Sequence, residues 1–398
     1  MPGLPESPLP ESPLPGSAFP ESADVVIVGG GVMGTSIAFH LAEAGVERVV
    51  LLEMNELGSG STCKAAGGVR ANFSDEVNIA LGARSLDAFA RFRVRPGQEI
   101  DLQTVGYLFL LETAEQLELF RESTRLQNSL GQPTRMIDVD EAVALAPIVA
   151  PEGLVGACFS PTGGHCTPES VVLGYATAAR RLGARLISGC EVLAIDAVGN
   201  QLTAISTSLG TIRTSTVICA AGAWSGRIGA MVGVELPVTP LRRQIVVTEG
   251  IPDLPADLPM TIDFGSTFYF HREGPGLLVG MSDPDEVPGF DVARTDAWIP
   301  RLIDAMARRA PSLLDVGMTG GWAGLYEVTP DHNALIGEAD MARFLYATGF
   351  SGHGFLQGPA VGETIRDLYL GRTPPVDIGP LSADRFRSAQ VRSEQNIV

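Results

Sequence analysis

Three glycines and one acid carry the clearest chemistry in this 398-residue chain: Gly29, Gly31 and Gly34 in G-x-G-x-x-G spacing, and Glu53 further along. Gly29 permits a tight turn, Gly31 lets a pyrophosphate approach the backbone, and Gly34 lets a helix and a strand pack closely. Val32 and Met33 fall in the first turn of that helix, where free N–H groups and a partial positive charge suit a phosphate. A carboxylate at Glu53 is placed to accept from both hydroxyls of a ribose. The set specifies dinucleotide binding rather than an ordinary Gly-rich turn, on condition that a strand precedes the turn and a helix follows.

Those elements are legible around the motif. Asp24 to Val28 is an apolar run that ends in glycine, as a buried parallel strand would. Met33, Ile37 and Leu41 repeat at helical spacing and predict one apolar stripe on a helix stopped at Gly45. Val49 to Leu52 reads as the next strand. Beyond a Gly/Ser-rich loop, Ser74 predicts the cap of a helix running to about Phe92. Gln103 to Leu111 reads as a strand, Ala114 to Leu130 as a helix, and Gly156 to Phe159 as a strand. Thr167-Pro168 opens a helix that ends at Gly183, and three strands follow, the last breaking at Ala221, Gly222 and Ala223. From Pro237 to Gly321 the pattern is β-rich, with one helix over Trp298 to Ala310. A second glycine loop, Gly349 to Gly354, then precedes a helix to Leu370. It lacks the G-x-G-x-x-G spacing, so it is not a second dinucleotide site. His271, within the β-rich stretch, reads as a polar face residue.

Composition narrows the function class. A net charge of −18 argues against a nucleic-acid or anionic-membrane partner. No uncharged apolar run is long enough to span a bilayer. Residues 1–22 repeat Glu-Ser-Pro-Leu-Pro and read as a disordered leader without a secretory h-region. Five cysteines without C-x-x-C spacing imply neither a disulfide frame nor a metal site, and fit a reducing, cytoplasmic setting.

The loop Leu57 to Arg70, with the opening motif and the Gly349 to Phe355 segment, resembles the D-amino acid oxidase and sarcosine oxidase superfamily. The resemblance brackets nearly the whole chain. It implies FAD, with Ser61 and Thr62 near the phosphates, Ala66, Gly67 and Gly68 beneath the flavin ring, and Val192 near the adenine. Ala221 and Gly222 would approach the cofactor from a second strand. Gly352, His353, Gly354, Phe355 and Leu356 would form the ring-binding segment, and Gly324 would also lie there. By the same resemblance Arg70 clamps a substrate carboxylate, while Tyr269, Tyr326 and His353 stand beside the flavin; aromatic core is the other reading of the two tyrosines. A phosphate contact or a surface pair is the other reading of Arg70.

Three positions depart from the family pattern. Gly324 replaces the cysteine that bonds to flavin, so FAD is expected to be held non-covalently. Leu356 replaces a lysine that helps to bind the carboxylate. Leu278 replaces the lysine implicated in oxygen activation, leaving Arg70 or a protonated His353 as cations near the ring. The expectation is an α/β fold: a Rossmann-like FAD-binding domain (GR2-type) over 23–103, 164–236 and 322–373. A substrate domain over 104–163 and 237–321, built on an antiparallel sheet, is inserted in it, and 374–398 forms a tail. The expected activity is oxidation of the C–N bond of a small, secondary or N-substituted amino acid. Electrons would pass to a quinone or a protein rather than efficiently to oxygen. An FAD-binding assembly or scaffold protein is the alternative.

Overall fold

A computed structural model of the chain describes residues 18–387 and 391–396. The leader expected over 1–22 therefore lies outside the described residues up to residue 17. Val25–Val28 sits in the interior of a six-stranded sheet, with Val217–Cys219 parallel on one side and Val49–Leu52 parallel on the other. Phe344–Thr348 and Arg185–Ile187 extend the parallel order outward, and Leu335–Glu338 closes one edge antiparallel. Alternation along the strands splits their side chains between two cores. Val25, Ile27, Val49 and Leu51 face the helices, and Val26, Val28, Val50 and Leu52 face the opposite layer.

The helix Val32–Glu43 corrects the single-stripe expectation, because every residue from Val32 to Ala42 is buried. Helices Pro168–Arg181 and Gly354–Tyr369 pack on it while the sheet covers a third side, so no face is left for solvent. Gly34 is the close contact that allows this: a Cβ there would lie 1.9 Å from the Gly29 carbonyl oxygen. Gly29 itself takes φ +111°, a conformation that side chains resist.

On the other face lies a three-stranded antiparallel sheet of Val192–Val198, Gln201–Thr207 and Gly210–Arg213. With Arg185–Ile187 and Val217–Cys219, this interval holds five strands where three were expected. The two missed turns are short, Gly199-Asn200 and Ser208-Leu209, and such hairpins leave little sequence between strands. The leader boundary is also corrected. The Arg213 amide donates to Glu21 O at 3.0 Å, and Phe19 packs against this layer, so the chain is tied down before residue 22.

An eight-stranded sheet runs in the order Met318–Val328, Thr239–Thr248, Gly276–Met281, Phe268–Glu273, Met260–Asp263, Tyr107–Leu111, Gly156–Ser160, Arg135–Ile137. It is antiparallel except for the Met260–Asp263 and Tyr107–Leu111 pair, which is parallel. Met318–Val328 pairs along Thr239–Thr248, so the expected boundary between 321 and 322 cuts a strand and is corrected. The strand expected from Gln103 begins at Tyr107; Gln103 instead bridges to His165. One face of this sheet, with Phe268, Phe270, Leu277 and Val279, is buried under Leu302 and Met306 of the helix Ile299–Arg309. Arg309 fixes that helix with a bond to Glu112 at 2.6 Å and another to Ala150 O at 2.9 Å.

Helix Glu76–Ala90 is capped by Asp75, which accepts from the Val77 amide at 2.9 Å, and not by Ser74. Ser74 is engaged by Glu394 instead. The described part of the expected C-terminal tail thus packs back on the chain, and Arg385 pairs with buried Asp331 at 2.7 Å.

Candidate functional site

The loops after Val25–Val28, Val217–Cys219 and Phe344–Thr348 emerge at one edge, because those three strands are adjacent and parallel. A crevice at the carboxyl ends of parallel strands is where such sheets bind ligands. It opens into a cavity of about 470 Å³, within the range of cofactor sites. Gly29, Gly31, Val32, Met33, Glu53, Ser61, Thr62, Ala66, Gly67 and Gly68 line it from the first loops. Val192, Ala221, Gly222, Gly324, Gly352, His353, Gly354, Phe355 and Leu356 line it from the later ones, and Arg70, Tyr269 and Tyr326 also face it. Gly34 alone among the expected residues stays out, packed against Gly29 as described.

The residues fit a dinucleotide. At neither helix start does the N-cap residue, Gly31 or His353, cap with its own side chain; Thr62 Oγ1 takes the Val32 amide, and the other first-turn N–H groups are available to anionic or carbonyl oxygens. A side chain on Gly31 would come within 3.0 Å of Thr62 Oγ1, which itself accepts from the Val32 amide at 3.0 Å. Glu53 is held by the Gly30 amide at 2.7 Å and the Asn55 amide at 2.8 Å, leaving carboxylate lone pairs for ribose hydroxyls. Ser61 is used differently from the expectation: its hydroxyl donates to Leu325 O at 2.6 Å, tying the loop to the large sheet.

Arg70 is 3 % exposed and sits with its guanidinium carbon 4.3 Å from the Phe73 ring centroid. It donates to Asn396 O at 2.7 Å and to Asn72 O. Among the described residues no carboxylate pairs with it. Burial pushes the Tyr107 phenol up to about 12, Tyr269 well above its ordinary value, and Tyr326 upward, so all three remain protonated near neutral pH. Burial, and next the Arg70 charge, hold His353 well below the usual histidine range. The imidazole is neutral, which corrects the expectation that it supplies a second cation.

Sequence reasoning passed over Arg243 and Glu327. The Arg243 guanidinium carbon lies 5.2 Å from the Tyr326 ring centroid, and its buried Nε has no partner. It lines the cavity with Arg70, Lys64 and Arg227; alternation on the strand Thr239–Thr248 was the available signal. Glu327 accepts from the Gly349 amide at 3.1 Å, and Thr348 Oγ1 lies 2.9 Å from the same oxygen and 3.2 Å from Gly222 O. Burial raises its carboxyl to about 7 against those hydrogen bonds. His271 is buried, with Nε2 2.8 Å from Ala66 O and Nδ1 2.8 Å from Arg272 O, so it braces the loop under the cavity. Leu278, opposite His271 in the sheet, is buried too and lines a separate pocket with His165 and His271, not the glycine-lined cavity, which corrects its expected place by the ring.

A family model described as FAD dependent oxidoreductase matches residues 24–368. Glycine oxidase of Geobacillus kaustophilus is 32% identical over 376 residues, covering 91% of this chain and 97% of that protein. Mitochondrial dimethylglycine dehydrogenase of Rattus norvegicus is 28% identical over 385 residues, 92% of this chain. The chain spans 45% of that relative's length. The crystal structure of L-proline dehydrogenase from P. horikoshii superposes with TM-score 0.88 at 32% identity, covering 94% of this chain and 100% of that one. No helix among the described residues is long and apolar enough to cross a membrane, and no cluster of His, Cys, Asp and Glu among them could hold a metal.

The raised carboxyl of Glu327 makes stability depend on pH. The folded protein keeps this proton to about pH 7, whereas the unfolded chain loses it near 4.5. Its contribution is complete below the lower value and falls as pH rises through that window. Glu327→Gln is therefore expected to flatten the decline of Tm between about pH 5 and 7.5, read by thermal unfolding. Parallel curves for the two proteins would contradict it.

Proposed function

This chain belongs to the FAD dependent oxidoreductase family, and from that membership we propose that it oxidises the C–N bond of a small amino acid carrying a secondary or N-substituted amine. The observation that carries the proposal is Arg70: a buried guanidinium that lines the cavity and has no carboxylate partner among the described residues. A planar fork of donors in a desolvated site matches a carboxylate in both geometry and charge. When bound, FAD supplies the two-electron acceptor for hydride from the carbon beside nitrogen, leaving an imine that water hydrolyses.

The chain's own residues orient and desolvate. The Gly29 turn and Glu53 would hold the nucleotide half, and the helix start at Gly354 would face the ring carbonyls, where negative charge develops on reduction. The neutral phenols of Tyr107, Tyr269 and Tyr326 wall the substrate space without adding charge. Gly324 has no room for a thiol, since a Cβ there would lie 2.5 Å from Lys64 Cβ, which supports non-covalent FAD. Leu278 offers no cation on its strand, so a quinone or a protein is the proposed acceptor. Relatives named for dimethylglycine, glycine and proline support the substrate class.

Anaerobic mixing of the yellow protein with sarcosine, dimethylglycine, glycine and proline is expected to bleach the flavin with at least one of them. Arg70→Ala should lower kcat/KM for that substrate by roughly a hundredfold with FAD content unchanged. A variant that loses FAD while its residual flavin is reduced normally would make Arg70 a cofactor residue. No bleaching by any amine would favour the scaffold reading.

Reduced protein should reoxidise more slowly in aerated buffer than with a soluble quinone analogue, because the strand position that the resemblance gives to an oxygen-activating lysine holds Leu278. Leu278→Lys should accelerate the oxygen reaction. Faster reoxidation by oxygen in the parent would overturn the acceptor assignment.

A further inference from the structure

We propose that residues 391–396 act as a positioning strap for Arg70: Glu394 anchors them, and the main-chain carbonyl of Asn396 aims the guanidinium at the substrate carboxylate. The inference rests on the carboxylate role of Arg70 and adds to it the element that orients the fork. Glu394 is 1% exposed and gathers donors from both sides. Oε1 accepts from the Ser74 amide at 2.8 Å, the Ser74 hydroxyl at 2.7 Å and the Asn396 amide at 2.9 Å. Oε2 accepts from Asn78 Nδ2 at 3.0 Å and the Asp75 amide at 3.2 Å. One carboxylate therefore ties the strap to the start of the helix that follows Arg70 in sequence.

Asn396 is fully buried, and its side-chain amide donates to Ser123 Oγ at 3.3 Å. Its carbonyl takes one N–H of Arg70 Nη2 at 2.7 Å, and Asn72 O takes one from Nη1. A guanidinium carries five N–H donors in a rigid fork, so fixing two of them sets where the others point. Neither Asn72 nor Asn396 lines the cavity that Arg70 lines, so these two carbonyls hold the fork from outside the ligand space. The Phe73 ring lies 4.3 Å from the guanidinium carbon and Tyr107 also bonds the fork, so the strap carbonyl joins these in fixing its orientation.

The test uses the full chain with bound FAD. Glu394→Ala should raise KM for the amino acid found by flavin reduction roughly tenfold, with kcat and FAD content within about twofold of the parent. Ser74→Ala, which removes one anchoring hydroxyl, should raise it by roughly threefold. The split between KM and kcat separates orientation of the carboxylate partner from general loosening of the fold. If Glu394→Ala fails to fold, Ser74→Ala decides alone: a selective KM rise supports the strap and an unchanged KM overturns it. A KM that falls would make the segment an obstruction, and overturns it equally. Normal KM in both variants alongside a crippled Arg70→Ala sinks the strap and leaves the proposed function standing. An unimpaired Arg70→Ala removes both.

Discussion

The parallel pairing of Val25–Val28, Val217–Cys219 and Phe344–Thr348 is the constraint on which the site depends. The three segments are separated by well over a hundred residues each, yet the pairing brings the loops that follow them to one edge. Two of those loops lead directly into helices whose N-cap residues make no side-chain bond, so, apart from the Val32 amide taken by Thr62, the arrangement delivers first-turn N–H groups of both helices to one cavity. Glu327 then joins the later loops, bonding to Gly349 while Thr348 reaches Gly222. A dipole-rich, glycine-lined edge of this kind accepts a polyanionic cofactor without needing a run of basic side chains. That is compatible with a chain whose overall charge is −18.

The second sheet roofs the glycine-lined cavity. Its buried face is held by Leu302, Met306 and Arg309, and its other face carries Tyr107, Met260, Ile262 and Tyr269 toward the cavity. These side chains are apolar, the two tyrosines ending in neutral hydroxyls, so they exclude water without introducing charge. Against that background, Arg70 and Arg243 line the cavity as cations, with Lys64 and Arg227 elsewhere on its wall. A cation in a low-dielectric wall interacts strongly with whatever anion reaches it, so the placement of Arg70 has leverage on binding out of proportion to its size.

Much of this was legible in the sequence, where chemistry and backbone geometry coincide. The strand–turn–helix spacing points to Gly29, Gly31 and Glu53, and resemblance to the family to Arg70, Tyr269 and Tyr326; the fold brings all six to one cavity. What stayed hidden depends on tertiary packing. The helix Val32–Glu43 reads as amphipathic but is enclosed on every side, because two helices far away in sequence share it with the sheet. His353 reads as a titratable histidine, and only its burial beside Arg70 makes it neutral. Ser74 reads as a helix cap, but its partner lies 320 residues later in Glu394, a contact that no local pattern announces. Glu327 sits one position from a residue that the family resemblance singles out, and its role comes from loops it meets only in the fold.

The central claim is that a substrate carboxylate completes the charge of Arg70. It is tested most directly by comparing the rates at which one amino acid and its carboxamide reduce the flavin anaerobically. The two share the reacting carbon and nitrogen and differ in the group offered to the guanidinium. The account predicts that the carboxamide reduces the flavin with a kcat/KM lower by roughly a hundredfold or more. Equal or faster reduction by the carboxamide would contradict it.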